Sequence, residues 1–272
     1  MKHCLTTLLS TCVCGLGLAA DPIEFKTKSE NVRPMSTDRP DQTEGAYTVP
    51  KGWFQMEIGL ATYAQRTDTD FRDEALAFGE INFKYGLTND VDLQLIWVPY
   101  NKNRQDGGPE GDNARQAGTG DVVARVKWNV VGNDGGPFAM SLLPFVKIPT
   151  ATHRIGNDMW EGGLFLNTEV DLGGGFNLGN SFFAALAVDD DDEHYLRPGF
   201  TAVLGRDVTD KLAAYVEFFT AWQYDAERYW QSSVDVGVTY ALTDNLMLDL
   251  SVFWFFRGDE AIQPLVGLSW RF

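Results

Sequence analysis

The sequence predicts an all-β protein: a transmembrane antiparallel up-and-down β-barrel of about twelve strands, preceded by a polar N-terminal segment that is either periplasmic or plugs the lumen. Three observations carry this. Apolar and polar residues alternate with a period of two from Trp53 to the carboxyl end, the signature of strands with one apolar face. The breaks between these stretches alternate between tight turns and mostly longer connections, an asymmetry that belongs to barrels crossing a membrane. Aromatic residues gather at the ends of the stretches rather than at their centres, as at the two interfaces of a bilayer. The 44% apolar content fits this class but fits a soluble sandwich equally well, so the sorting of loops and aromatics decides.

Residues 1–20 read as a secretory signal peptide, with Lys2 and His3 ahead of an apolar run and Ala19 and Ala20 at the expected cut. Cys4, Cys12 and Cys14 are the only cysteines and all lie in that leader, so the exported chain is expected to carry no disulfide. The 38 acidic residues outweigh 22 basic ones, of which Lys2 is lost with the leader. Nucleic acid is therefore excluded as a partner. No run of eighteen apolar residues is present, so a membrane can be crossed only by a closed barrel.

In chain order, residues 21–52 are polar, contain Pro22, Pro34, Pro40 and Pro50, and precede the barrel expected over 53–272. Regular alternation places strands at 54–60, 81–87, 91–95, 122–130, 164–172, 234–240 and 246–252. Less regular strands are expected near 138–148, 176–188, 196–207, 212–222 and 262–272. Tight turns rich in Gly, Asn and Asp fall at 87–90, 132–136, 173–175, 207–210 and 242–245. The opposing connections are expected at 66–73, 100–120, 150–161, 189–195, 223–230 and 257–260. Trp53, Phe54, Tyr85, Trp128, Tyr240, Trp270 and Phe272 would form one girdle. Trp97, Tyr100, Trp160, Tyr195, Trp222, Tyr224, Tyr229, Trp230 and Trp254 would form the other. Pro144, Pro198 and Pro264 each predict a bulge or a local break, because proline donates nothing to a ladder. The last strand ends on Phe272, the pattern by which barrel-assembly machinery would be engaged.

The face opposite the lipid lines the lumen. Glu57, Glu80, Lys84, Asp92, Arg125, Lys127, Glu169, Glu217, Asp235 and Asp249 are the candidate lining and selectivity residues, with Lys147, Asn167, Asp171 and Arg271 on the same face. Charges of both signs in a narrow, poorly solvated tube are expected to pair, either as a selectivity filter or simply to fill it. Asp38, Arg39, Asp41 and Glu44 of the N-terminal segment are the plug candidates; the alternative is a disordered leader.

No catalytic or metal site is expected, and no cofactor. The run Asp189-Asp190-Asp191-Asp192-Glu193-His194 matches no metal-ligand spacing and reads as a solvated loop. His153 and His194 are the only histidines beyond the leader, each in an expected long connection, and His153 has no serine nearby in sequence, so a nucleophile would have to come from another strand.

Several blocks resemble a known family. Ser36-Thr37-Asp38-Arg39-Pro40-Asp41-Gln42-Thr43-Glu44, then Val49-Pro50-Lys51-Gly52 and Gln55-Met56-Glu57-Ile58-Gly59, are similar to the opening signature of the outer-membrane transporters grouped under the MetA pathway of phenol degradation. Tyr85-Gly86-Leu87-Thr88, Gly118-Thr119-Gly120-Asp121 and Val146-Lys147-Ile148-Pro149-Thr150 extend the likeness, while Ala151 departs from the glycine expected after Pro-Thr. The resemblance implies an outer-membrane barrel that admits small molecules, aromatic or hydrophobic compounds among them.

The functional expectation is an outer-membrane channel for passive or gated passage of a small solute, in contact with outer-membrane lipid and lipopolysaccharide. The alternatives are a structural or adhesive barrel with a closed lumen, and an outer-membrane hydrolase.

Overall fold

The computed structural model describes residues 32–67, 71–107, 114–153, 155–189, 191–224, 230–258 and 262–272. The expected leader at 1–20 and Tyr229 lie outside them. Fourteen strand segments follow in order: β1 (Phe54–Thr67), β2 (Phe71–Gly86), β3 (Val91–Trp97), β4 (Tyr100–Gly107), β5 (Ala114–Gly118), β6 (Val122–Val131) and β7 (Phe138–Ile148). Then come β8 (Glu161–Gly173), β9 (Phe176–Val188), β10 (His194–Asp207), β11 (Leu212–Trp222), β12 (Trp230–Thr243), β13 (Leu246–Arg257) and β14 (Gln263–Arg271).

Every pairing is antiparallel, and β1 closes the sheet by pairing with both β2 and β14, with Glu57 opposite Asn82 on one side and Ser269 on the other. β2 pairs with β3 along one half and with β4 along the other, so β3 and β4 are one stave interrupted at Val98-Pro99. β5 and β6 likewise continue one another across Thr119-Gly120-Asp121, and the Gly120 amide donates to the Val98 carbonyl at 2.8 Å to hold the two breaks together. The result is a closed barrel of twelve staves, without which the edges would leave backbone groups unpaired in lipid.

Two of the expected connections are largely strand. The ladder between β1 and β2 runs up to Thr67–Arg72, so 66–73 is mostly sheet. The 100–120 connection is the hairpin β4–β5, paired from Asn101–Gly118 to Gln105–Ala114. Polar residues on both faces, Asn101, Asn103 and Gln105 on one and Lys102, Arg104 and Asp106 on the other, hide the alternation there, since a hairpin outside the hydrocarbon needs no apolar face.

The three prolines interrupt ladders without shifting register. Pro144 sits where β7 loses pairing to β6 between Arg125–Phe145 and Trp128–Leu142. Pro198 marks the corresponding gap between β10 and β11, and Pro264 that between β14 and β1, while each remains paired on its other side. The bulges lie elsewhere, for example between Asn129 and Val131 and between Asp171 and Gly173.

The exterior is apolar and the interior polar, the reverse of a soluble domain. Leu93, Leu95, Val126, Trp128, Phe182, Val216, Phe218, Val234, Val236 and Leu250 are exposed, whereas Gln94, Lys127, Asn129, Ser181, Glu217, Asp235 and Ser251 are buried. Exposed apolar surface on this scale needs a hydrocarbon surrounding. The aromatic girdles are present at both ends: Phe54 contacts Tyr85 and Phe272 with ring centroids 4.7 and 5.9 Å apart, and Trp222 stacks on Trp230 at 6.2 Å. Trp53 is an exception. It is 6% exposed and turned inward, with the Arg271 guanidinium 5.5 Å from its ring centre.

Candidate functional site: an occluded lumen

Residues 32–53 form no regular secondary structure. They enter the barrel at the end bearing the tight turns, reach toward its middle and return. Arg33 ties the inward and outward limbs together at the mouth, donating to the carbonyls of Thr48 at 2.8 Å, Asn89 at 2.9 Å and Asn133 at 3.0 Å. Arg271 closes the same mouth, donating to the Arg33 carbonyl at 2.9 Å and to Asn245 Oδ1. The outward limb is fixed by Val49 N donating to Asp92 Oδ2 at 2.9 Å and Asn129 Nδ2 to the Ala46 carbonyl at 2.8 Å.

Inside, the wall is electrically two-sided, and the segment matches it. On the β1–β2–β6 side, Asp38 is the hub. Its carboxylate accepts from Lys84 Nζ and Lys127 Nζ at 2.5 Å each and from the Gly45 amide at 3.0 Å, with Arg125 Nη2 at 3.7 Å. Glu57, fully buried, pairs with Lys84 and accepts from the Asp38 amide at 3.1 Å. Arg125 also pairs with Glu44. Burial alone would raise the Asp38 carboxyl, but the charges of Lys127, Lys84 and Arg125 outweigh it and hold the group well below the usual carboxylate range.

On the β11–β12–β13 side the wall is anionic and the segment supplies donors. Arg39 Nη2 donates to Asp249 Oδ1 at 3.0 Å. Its guanidinium fits a slot where the facing residues Gly59 and Gly267 carry no side chain; a Cβ at Gly267 would stand 2.4 Å from Arg39 Nη2. The Gln42 amide donates to Glu217 Oε2 at 2.8 Å, Gln42 Nε2 to Asp235 Oδ2 at 2.7 Å, and the Thr43 hydroxyl to Glu217 Oε1 at 2.5 Å. Asp41 differs, because it faces carboxylates. Burial, reinforced by the Glu217 charge, pushes its carboxyl well above the usual range.

Glu57, Lys84, Asp92, Arg125, Lys127, Glu217, Asp235 and Asp249 are thus brought together around one segment, and Asp38, Arg39 and Glu44 are its contacts. Glu169 borders a small internal cavity beside Asp41 and Glu44. Glu80 lies opposite Gly59 in the ladder and has no ion pair among the described residues. Three lumen expectations are corrected. Lys147 sits at the long-loop end with Asp121 and Glu161, Asp171 is exposed and caps the Gly173 turn, and Arg271 guards the mouth. At these stave ends the inward face opens onto solvent or a turn, so parity alone no longer means lumen. His153 pairs with Asp158 at 3.4 Å on an exposed loop, and His194 Nε2 lies 2.9 Å from the Trp160 carbonyl.

The sequence reading missed an aromatic layer. Phe145, Phe165, Phe183, Phe219 and Phe255 point inward and form an arc, with successive ring centroids 5.7, 5.0, 6.4 and 6.5 Å apart. Each lies toward the long-loop end of a polar inward residue on its own strand: Ser141, Asn167, Ser181, Glu217 and Ser251. Gly199 makes room for it, since a Cβ there would fall 2.0 Å from the Phe183 ring. The same parity that puts Glu217 in the lumen puts Phe219 there, so the signal existed. A cavity of about 330 Å³ lies between this arc and Gln42 and Glu44, with Arg197, Gln231 and Gln263 on its rim.

Solved structures share this architecture. An outer membrane channel from Pseudomonas putida F1 superposes with a TM-score of 0.66 at 12% identity, over 84% of this chain and 98% of that one. The NanC porin gives 0.51 at 9% identity over 79% and 98%, and the translocator domain of the autotransporter NalP from Neisseria meningitidis gives 0.52 at 9% identity over 82% and 89%. At such identities the likeness is one of fold. No curated protein matches the sequence. A family profile does, over residues 37–272, a span that holds the lumen segment from Thr37 and every stave; the chain belongs to the family described as "Putative MetA-pathway of phenol degradation".

Proposed function

We propose that the protein is an outer-membrane channel, closed at rest by its own residues 36–46, through which small molecules pass when that segment shifts. Export by residues 1–20 and insertion with the tight turns on the periplasmic side complete this reading. The observation that carries it is the segment's attachment: it is held by side-chain ion pairs and hydrogen bonds rather than by a β-ladder, so it can leave without breaking the barrel. A purely structural barrel has no need of a polar tube refilled by a detachable strap, since apolar packing would fill it at less electrostatic cost. The phenylalanine arc facing the long-loop end offers apolar contact to an entering solute, which favours aromatic or hydrophobic molecules. Transport down a gradient needs no cofactor.

Deleting residues 21–45 and recording single channels in planar bilayers tests this. The expected result is a conductance several times that of the full chain. Unchanged current in a correctly folded barrel, judged by heat-modifiable mobility, overturns it.

A further inference from the structure

Lys84, Arg125 and Lys127 are each at least nine-tenths buried. Among the described residues, the ion pairs of Lys127 and Arg125 are made to the N-terminal segment alone, and only Lys84 has a wall partner, Glu57. Arg125 Nε is buried with no hydrogen-bond partner, so the cluster has a donor to spare. Two buried cations that make no ion pair to the wall among the described residues, with only Asp92 facing Lys127 across the β3–β6 ladder, exceed what the wall needs. They fit a carboxylate that comes and goes.

We propose that Lys84, Arg125 and Lys127 form a carboxylate-binding site for the solute, occupied at rest by the chain's own Asp38 and Glu44, and that the molecules carried are small organic acids. This rests on the occluded-channel reading and adds the class of solute. The approach is stepped. Arg197 stands on the rim of the cavity whose floor holds Glu44, Glu44 is bound to Arg125, and Arg125 in turn reaches Asp38 between the two lysines. An entering carboxylate exchanges with Glu44 on Arg125, then with Asp38 on the lysines, so that buried positive charge is compensated at every stage. A neutral solute that displaced the segment would leave Arg125 and Lys127 without their ion-pair partners, with only Lys84 still paired to Glu57, which is strongly unfavourable. The opposite wall, with Glu217, Asp235 and Asp249, repels the acid head and sets its orientation.

The test uses benzoate and benzyl alcohol, which share a ring and differ in the carboxylate. With the full chain in planar bilayers, benzoate should raise the frequency of opening at least tenfold over benzyl alcohol at equal concentration. In the barrel lacking 21–45, benzoate should reversibly reduce the chloride current. Lys127→Met in that barrel should weaken the block at least tenfold. If the deleted barrel folds poorly, Asp38→Asn in the full chain serves as the open-biased background for the same titration. Equal action of the two solutes, or a benzoate block indifferent to Lys127→Met, overturns the carboxylate site while leaving occlusion standing. A deleted barrel that folds and carries no added current overturns occlusion itself, and the site with it.

Discussion

Asp38→Asn is the most informative single change. The substitution keeps the shape of the side chain, and the amide oxygen can still accept from Gly45 N, now at 3.0 Å. What disappears is the negative charge between Lys84 and Lys127, each 2.5 Å away. Lys84 retains Glu57, but Lys127, 1% exposed, keeps no ion pair among the described residues. Removing one partner of a buried pair typically costs about 3–5 kcal/mol. Lys127 can shed part of that by reorienting toward solvent once the segment leaves, so the cost falls on the closed state. At about 1.4 kcal/mol per factor of ten, the closed-to-open ratio should drop on the order of a hundredfold or more. Single-channel recording reads this directly as open probability. The pair Asp38→Asn with Lys127→Met should recover part of the loss, because the orphaned charge is then removed as well. If Asp38→Asn, folded and inserted, opens no more often than the parent protein, the electrostatic latch is refuted.

Gly267→Ala should also favour opening, since its methyl would stand 2.4 Å from Arg39 Nη2, whereas Gly59→Ala, at 3.1 Å, should act more weakly; open probability ranks the two. Open probability should rise as pH is raised above the ordinary carboxylate range. Asp41 has a raised pKa in the closed state, so its contribution is complete below the ordinary Asp range and is lost as pH rises through the closed-state value. Asp41→Asn should flatten that dependence, whereas Asp38, with its lowered pKa, loosens the segment only when pH falls below the ordinary Asp range. Leu250→Lys, on the lipid face and 54% exposed, should destabilise the barrel by about 2–4 kcal/mol if it lies near the midplane, seen as a lower urea midpoint for unfolding in detergent. Its neighbour Asp249→Asn, facing the lumen, should leave that midpoint nearly unchanged while raising conductance.

The barrel was legible because lipid imposes a rule that each strand must obey separately. Leu93 and Leu95 must be apolar whatever β6 does, and Gln94 between them is then turned inside, so a local pattern carries the global fold. The ends of the staves were less legible. Past the hydrocarbon that rule lapses, and the β4–β5 hairpin, with polar residues on both faces, looked like a loop. Trp53 was misassigned although it shares the parity of the inward Gln55 and Glu57, because an aromatic residue at a strand end also fits a girdle; the Arg271 guanidinium lies over its ring on the inside.

The sequence by itself determined which residues face the lumen and that charges of both signs meet there, since alternation and composition are properties of the chain alone. Only the tertiary structure decided the partners. Asp38 and Lys127 lie 89 residues apart, and Arg39 and Asp249 210 apart; contacts at such separation depend on closure bringing β2, β6 and β13 around one axis, which no local pattern encodes. The phenylalanine arc is of the same kind. Each ring obeys its own strand's parity, but that five of them stand at one height is a matter of stagger between staves.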